Sequence, residues 1–75
     1  MPKTPQVNAR ALLNALKRGG FVVRRQTGSH VILRHPQNGR TAVIPDHPGT
    51  ISPELIAGIL KQAGLSPDEF RELLR

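Results

Sequence analysis

Residues 24–34 read RRQTGSHVILR, and this segment determines the predicted fold. A short basic run enters a turn at Gly28 and leaves it as an apolar run of Val, Ile and Leu, which is typical of a β-strand. At the exit of the turn stands His30, with arginines on both sides of it along the chain. The segment therefore predicts a β-hairpin that holds a titratable ring beside fixed positive charges.

The turn of this hairpin has two possible lengths. A two-residue loop would bury Arg24, which is costly for a charge without a partner. We therefore favour a three-residue loop over residues 27–29. Its predicted strand pairs are Gln26 with His30, Arg24 with Ile32, and Val23 with Leu33. This register adds Phe21 and Val23 to the core. It leaves Arg24 and Gln26 beside the histidine.

A third strand follows the sequence Pro-Gln-Asn-Gly at residues 36–39. Asn-Gly between two β-type runs is the strongest short-range hairpin signal. With Asn38 and Gly39 as the two turn residues, the predicted pairs are His35 with Ala42, Arg34 with Val43, and Leu33 with Ile44. Because side chains alternate between the faces of a strand, one face becomes the core, with Val31, Leu33, Ala42 and Ile44. The opposite, open face, which no helix covers, carries His30, Ile32, Arg34 and Val43.

Helical signals flank the strands. Asn8 is the predicted N-cap of a helix over residues 8–18, and Ser52 begins a second helix that Gly64 ends. The predicted buried stripe of this second helix consists of Leu55, Ile56, Ile59 and Leu60. A capping box opens a short final helix over residues 66–74. The sequence thus predicts an α+β fold of order α-β-β-β-α, in which two helices cover one face of a three-stranded antiparallel sheet.

The composition narrows the class of protein. A chain of 75 residues predicts one small domain, with residues 1–7 as a flexible arm because they contain two prolines and no apolar periodicity. The absence of cysteine excludes disulfides and thiolate zinc sites. No apolar run is long enough for a membrane span or a signal peptide. We therefore expect a cytoplasmic protein with no membrane partner.

Positive charge is concentrated in one half of the chain. The formal net charge is +6, but residues 1–40 hold eight basic residues and no acid, while residues 41–75 have a net charge of −2. Such a basic half indicates a polyanionic partner, with nucleic acid ahead of an anionic membrane. The sequence contains no basic amphipathic helix with a bulky apolar face, which argues against a membrane as the partner. With only two aromatic side chains, base stacking contributes little to any affinity.

Around the hairpin turn, the residue types suit a phosphodiester substrate. His30 is the candidate catalytic residue, because histidine has an unperturbed pKa of ~6.5 and exchanges a proton near neutral pH. Arginine keeps its charge and matches phosphate geometry. A glycine lets a phosphate approach backbone N–H groups, and a neighbouring hydroxyl adds a donor. The candidate substrate-binding residues are Arg24, Gln26, Gly28, Ser29 and Arg34.

Each of these residues also has a structural explanation. His30 alone is as consistent with a solvated surface histidine as with a catalyst. Gly28 and Ser29 suit ordinary turn chemistry, with positive φ at the glycine. Arginines on an open sheet face favour solubility, although the absence of acids in residues 1–40 argues against that alone.

The other histidines receive different predictions. His30 and His35 are five residues apart on one strand, so they point to opposite faces and cannot share an ion. We therefore expect no metal site and no cofactor. His35, near the end of the sheet on the core-facing side, is predicted to be structural. His47, in a proline-rich loop, is a possible second proton carrier, although a loop histidine bonded to backbone is the more ordinary explanation.

Several short motifs occur in a specific order and spacing. They are LKRGGF (16–21), GSH (28–30), HPQNGR (35–40), VIPDH (43–47) and ILKQAGLS (59–66). Together, over roughly residues 9–66, they resemble the HicA family of toxin–antitoxin mRNA interferases. The resemblance implies a fold like that of double-stranded-RNA-binding domains, an RNase activity that cuts mRNA, and neutralisation by a HicB-type antitoxin. The catalytic histidine of the family falls on His30.

The leading functional hypothesis is a metal-independent endoribonuclease toxin that uses His30 for proton transfer. The first alternative is a non-catalytic RNA-binding module that uses the same basic face. The second is a protein-interaction domain whose basic face binds an acidic partner. Cleavage of RNA by purified protein in excess chelator distinguishes the first hypothesis from the other two.

Overall fold

The computed structural model describes residues 7–46 and 49–75. Its elements are α1 Ala9–Arg18, β1 Val22–Gln26, β2 His30–Arg34, β3 Thr41–Pro45, α2 Pro53–Ala63 and α3 Pro67–Leu74. This order confirms the predicted α-β-β-β-α arrangement with a short C-terminal helix. Most of the predicted arm and the candidate proton carrier His47 lie outside the described residues. Val7, the last residue of that arm, accepts a hydrogen bond of 2.8 Å from the backbone N–H of Ile51.

Side-chain caps begin the helices where the sequence predicts them. Asn8 and Ser52 each accept a hydrogen bond from the backbone N–H three residues later, at 2.8 and 3.3 Å. Ser66 and Glu69 form the reciprocal pair of a capping box, at 3.1 and 2.9 Å. Each cap satisfies an N–H that the helix leaves unpaired, typically worth about 1 kcal/mol. At the other end of α2, Gly64 adopts a φ of 77°, the left-handed conformation that ends a helix.

The strands form an antiparallel sheet in the order β1-β2-β3. Helices α1 and α2 pack on β3, and α3 packs on these two helices through its buried Phe70. Leu33, Ala42 and Ile44 are buried between the sheet and the helices, with Val31 packed beside them. The predicted core face is therefore confirmed, and all buried side chains in the described part of the chain are apolar.

The register between β2 and β3 differs from the predicted one by two residues. Leu33 pairs with Ala42, and Arg34 pairs with Thr41. The turn therefore contains four residues, 36–39, rather than Asn38 and Gly39 alone. A two-residue turn would place Pro36 inside the strand ladder, where its missing N–H removes a hydrogen bond. A shift of two keeps every side chain on its predicted face.

The register between β1 and β2 changes at a β-bulge. Val23 pairs with Leu33 as predicted, but Arg25 pairs with Ile32 and Gln26 pairs with Val31. The predicted pairs Arg24–Ile32 and Gln26–His30 are therefore wrong. Since β1 is an edge strand with every residue exposed, no buried side chain fixes its register beyond Val23. Gln26 consequently lies on the helix-covered face and not beside His30.

Two predicted core residues are exposed. Val23 is 37% exposed and Leu55 is 45% exposed, although Phe21 is buried as predicted. Val23 belongs to β1, whereas the helices that cover the sheet pack on β3. In α2, Ile56, Ile59 and Leu60 are buried as predicted, and Ala63 extends the buried stripe toward the end of the helix in place of Leu55.

Candidate functional site

The loop before His30 is fixed by hydrogen bonds and is one residue shorter than predicted. Because Gln26 pairs with Val31, Thr27 lies opposite His30 and residues 28–29 form the turn. The backbone N–H of Thr27 donates to the carbonyl of His30 at 2.9 Å, and the N–H of His30 donates to the Thr27 hydroxyl at 3.2 Å. Directly after β3, the N–H of Asp46 donates to the carbonyl of Ser29 at 2.8 Å. The backbone on both sides of the histidine is therefore held by partners within the sheet.

Gly28 does not adopt the positive φ that turn chemistry predicts for it. The glycines with positive φ in the described residues are Gly20, Gly39, Gly49 and Gly64. A Cβ atom added at Gly28 would meet no heavy atom within 4 Å. Neither the fold nor local packing therefore requires glycine here, and the backbone at the tip of the loop is open to an approaching ligand.

His30 is exposed on the open face of the sheet, as predicted. Its Nδ1 lies 3.1 Å from the hydroxyl oxygen of Ser29. A hydroxyl can donate to Nδ1 or accept from it, so this contact orients the ring in either neutral tautomer. The hydrogen bond leaves Nε2 available to accept or donate a proton toward a ligand.

Three arginines surround a shallow hollow on the same face. The hollow has a volume of about 300 Å³ and is lined by Arg24, Arg25, Ile32, Arg34 and Thr41. Arg25 pairs with Ile32, two residues beyond His30, so it is the diagonal neighbour of the histidine. Such diagonal positions lie about 7–8 Å apart. Within residues 7–46 and 49–75, none of the three arginines forms an ion pair, so their charges stay available to a ligand.

Arg25 is a site residue that the sequence prediction missed. The regular hairpin assigned its side chain to the face opposite Arg24. The bulge places both arginines on the open face, where they line the same hollow. Two adjacent arginines in an exposed edge strand were the available signal, because a bulge there costs no buried contact.

Gln26, predicted to lie on the open face, lines a second cleft on the other side of the sheet. This cleft has a volume of about 410 Å³ and lies between α1 and the end of the sheet. Its lining consists of Ala9, Arg10, Leu13, Gln26, Val31, Ile44 and Asp46. The structure therefore separates Gln26 from the other predicted substrate-binding residues.

His35 has the structural environment predicted for it. Its ring packs edge-to-face on Phe21 with centroids 5.2 Å apart, and its Nδ1 accepts a hydrogen bond from Gln37 at 3.2 Å. A Cβ at Gly20 would lie 2.7 Å from Nε2 of the same ring. Of the two histidines in the described residues, only His30 lies on the open face. No group of three or more His, Cys, Asp or Glu in those residues is placed to hold a metal ion.

The described residues define a small α+β protein whose open sheet face carries the exposed His30 and a cluster of three arginines. None of the helices in the described ranges has the length and apolarity to cross a membrane. Residues 9–65 match the model of the family described as HicA toxin of bacterial toxin-antitoxin. Since this match covers more than half of the 75 residues, the chain belongs to the HicA toxin family. No curated protein matches the sequence.

Proposed function

We propose that this HicA-family toxin is a metal-independent endoribonuclease that cleaves mRNA, with His30 as its catalytic residue. The observation that carries the proposal is the His30 ring, exposed on the open face and hydrogen-bonded to Ser29, with Arg25 as its diagonal neighbour. Arg24, Arg25 and Arg34 line a hollow on the same face and form no ion pair in the described residues. Membership of the toxin family supports the same activity, since the resemblance to HicA toxins implies an RNase that cuts mRNA.

The chemistry assigned to His30 is proton transfer at Nε2. As a general base, Nε2 accepts the proton of an RNA 2′-hydroxyl while the 2′-oxygen attacks the adjacent phosphorus. The bond from phosphorus to the 5′-oxygen breaks, and that oxygen takes up a proton from the imidazolium or from water. The products are a 2′,3′-cyclic phosphate and a 5′-hydroxyl. General acid–base catalysis of this kind contributes about 10²–10⁴-fold.

The other open-face residues have binding and positioning roles in this proposal. Arg24, Arg25 and Arg34 neutralise the phosphate and the charge that develops on it during attack. Gly28 lets the phosphate approach the loop, where backbone N–H groups act as donors. Ser29 is a positioning residue, because its hydroxyl holds Nδ1 of His30 at 3.1 Å.

With a single histidine on the described open face, we expect a slow enzyme. His47 remains the candidate for a second proton carrier, as the alternative to the His30 imidazolium and to water for protonating the leaving oxygen. An enzyme with His30 alone relies on water or on the imidazolium for that step. If a His47→Ala variant retains most of the activity, protonation of the leaving oxygen is assigned to water or to the His30 imidazolium instead.

The decisive experiment compares the parent with His30→Ala on RNA in excess chelator. Because His30 is exposed and its ring is hydrogen-bonded to the hydroxyl of the adjacent Ser29, with no part in the buried core, the variant is expected to fold. We expect a cleavage rate at least 100-fold below that of the parent, with RNA binding within a few-fold. Gel mobility of end-labelled RNA measures both quantities.

Three outcomes of that experiment contradict the proposal in different ways. Cleavage by His30→Ala at the parent rate removes the histidine from the mechanism. If chelator abolishes cleavage by the parent, the reaction depends on a metal ion and the proposed metal independence is wrong. Binding by the parent without cleavage in any buffer supports the alternative of a non-catalytic RNA-binding module.

The proposed protein partner is a HicB-type antitoxin in the cytoplasm. The toxin family is defined by toxin–antitoxin modules, which supports a neutralising partner of this kind. Co-expression with the neighbouring small open reading frame should give a stable complex that does not cleave RNA. A complex that cleaves at the parent rate would show that this neighbour is not an antitoxin.

A further inference from the structure

The second cleft lies on the opposite side of the sheet from His30 but at the same end. Val31 follows His30 and faces the cleft, since neighbouring side chains point to opposite faces. Asp46, at the rim, is linked to the catalytic loop through its N–H, which donates to the carbonyl of Ser29 at 2.8 Å. An RNA strand that passes over this end of the sheet therefore meets both sites in succession.

The lining of the cleft combines an apolar floor with polar groups at its rim. Leu13, Val31 and Ile44 form the floor. Around this floor lie three exposed residues, Arg10, Gln26 and Asp46. Within the described residues, Arg10 and Asp46 form no ion pair. The volume of about 410 Å³ falls within the roughly 300–1,000 Å³ of typical ligand pockets.

These groups match the way proteins bind a single unstacked RNA base. Sequence-specific recognition of RNA uses bases that are splayed out, stacked on aromatic rings or on arginine planes, and hydrogen-bonded along their Watson–Crick edges. None of the described residues that line the cleft is aromatic, and the guanidinium plane of Arg10 can serve as the stacking surface. The carboxylate of Asp46 and the amide of Gln26 remain available for hydrogen bonds to the edge of the base.

We propose that this cleft binds one guanine adjacent to the cleaved phosphodiester, an inference that rests on the proposed nuclease function. The ionised carboxylate of Asp46 only accepts hydrogen bonds. Among the RNA bases, guanine alone presents two adjacent N–H donors, N1–H and the 2-amino group, on its Watson–Crick edge. The amide of Gln26 supplies a donor for O6. Arg10 and Asp46 thus act together with Gln26 as a specificity subsite.

The test replaces the carboxylate of Asp46 by an amide. Asp46→Asn keeps the size of the side chain but offers one acceptor and one donor, the pattern that adenine matches. The hydrogen bond from Asp46 to Ser29 uses the backbone, so the catalytic loop is preserved. Asp68→Asn makes the same chemical change on α3, where the carboxylate is paired with Arg71 and exposed. All three proteins cleave a randomised RNA pool, and sequencing of the ends gives the base frequencies around the cut.

We expect the parent and Asp68→Asn to enrich guanine at one fixed position beside the cut. Asp46→Asn should lower that preference about tenfold, the size of one good bidentate base contact, and shift it toward adenine. Identical base frequencies in the parent and Asp46→Asn, or no guanine preference in the parent, would overturn the subsite while leaving the nuclease proposal intact.

A binding measurement tests the subsite even if the parent does not cleave RNA. Backbone amide resonances of ¹⁵N-labelled protein are followed during titration with guanosine or adenosine 5′-monophosphate. Shifts of Gln26, Val31 and Ile44 with the guanine nucleotide alone, lost in Asp46→Asn, support the subsite. Equal shifts with both nucleotides, or none at these residues, contradict it.

Discussion

A substitution at Gly28 separates an effect on folding from an effect on substrate binding. Its φ lies outside the left-handed region, and a Cβ there meets no atom within 4 Å. Gly28→Ala should therefore change the free energy of unfolding by no more than about 0.5 kcal/mol, as is usual for surface positions. If a phosphate approaches this loop, the added methyl group crowds it, and we expect kcat/KM for RNA to fall roughly tenfold. Urea denaturation and a cleavage assay measure the two effects.

Gly58→Ala is the matched control for this glycine. Gly58 lies within α2, and a Cβ there also meets open space. Alanine in a helix interior is more favourable than glycine by about 0.5–1 kcal/mol, so this variant should be slightly more stable and cleave RNA at the parent rate. A Gly28→Ala protein that is equally active would show that no phosphate approaches the loop.

At the residue scale, the sequence predicted the exposed histidine and most of its neighbours, but not all of them. His30 and Arg34 follow from alternation along one strand, which a shift of two residues does not disturb. Arg25 and Gln26 lie beyond the bulge, where the predicted alternation fails. Periodicity cannot reveal a bulge in a strand that has no buried side chains. For this reason the prediction missed Arg25 in the hollow and placed Gln26 on the wrong face of the sheet.

At the scale of helices and strands, the helix caps were predictable from the sequence, whereas the register of the strand pairs was less so. Helix caps depend on residues three or four apart, and all three predicted N-caps are present, as is the predicted C-cap at Gly64. Strand register depends on partners from elsewhere in the chain. The four-residue turn ending at Gly39 is stabilised by the side chain of Asn38, which accepts a hydrogen bond from the N–H of Arg40 at 2.8 Å. That arrangement keeps Pro36 out of the ladder.

Arg18 attaches the end of α3 to α1. Its Nη1 donates to the carbonyls of Leu73 and Arg75, at 2.9 and 2.8 Å, and so satisfies acceptors that a helix end leaves unpaired. We expect Arg18→Ala to destabilise the last turn of α3 by about 1 kcal/mol. Phe70 stays buried and keeps the rest of the helix docked. Amide hydrogen exchange in the last turn of α3 should accelerate about fivefold.

Lys17→Ala is the control for this attachment. Lys17 is also exposed and also lies in the last turn of α1, so its removal changes the charge equally. Exchange in α3 should stay at the parent rate in this variant. Equal acceleration in both variants would mean that charge at the end of α1, and not the two hydrogen bonds, holds α3.

At the scale of the whole molecule, the division of charge along the sequence is in part a division between the two faces of the sheet. Of the described basic residues up to Arg40, the three arginines that line the hollow lie on the open face, whereas those of α1 lie on the side covered by the helices. Apart from Asp46, the acidic residues lie in helices α2 and α3, which pack on the far side of the sheet from His30. This asymmetry favours approach of a polyanion toward the open face.

RNA binding through this face should depend steeply on salt, because each neutralised phosphate releases counterions. For single-stranded RNA, the slope of log K against log salt is about −0.7 for each phosphate contact. Replacing Arg25 and Arg34 by Gln should therefore make the slope shallower by about 1.4. The matched change of Lys61 and Arg75 to Gln removes the same charge from α2 and the C-terminus. It should leave the slope unchanged. Titrations with the His30→Ala background, which prevents cleavage, measure both. Equal changes in the two pairs would mean that net charge, rather than the open face, determines binding.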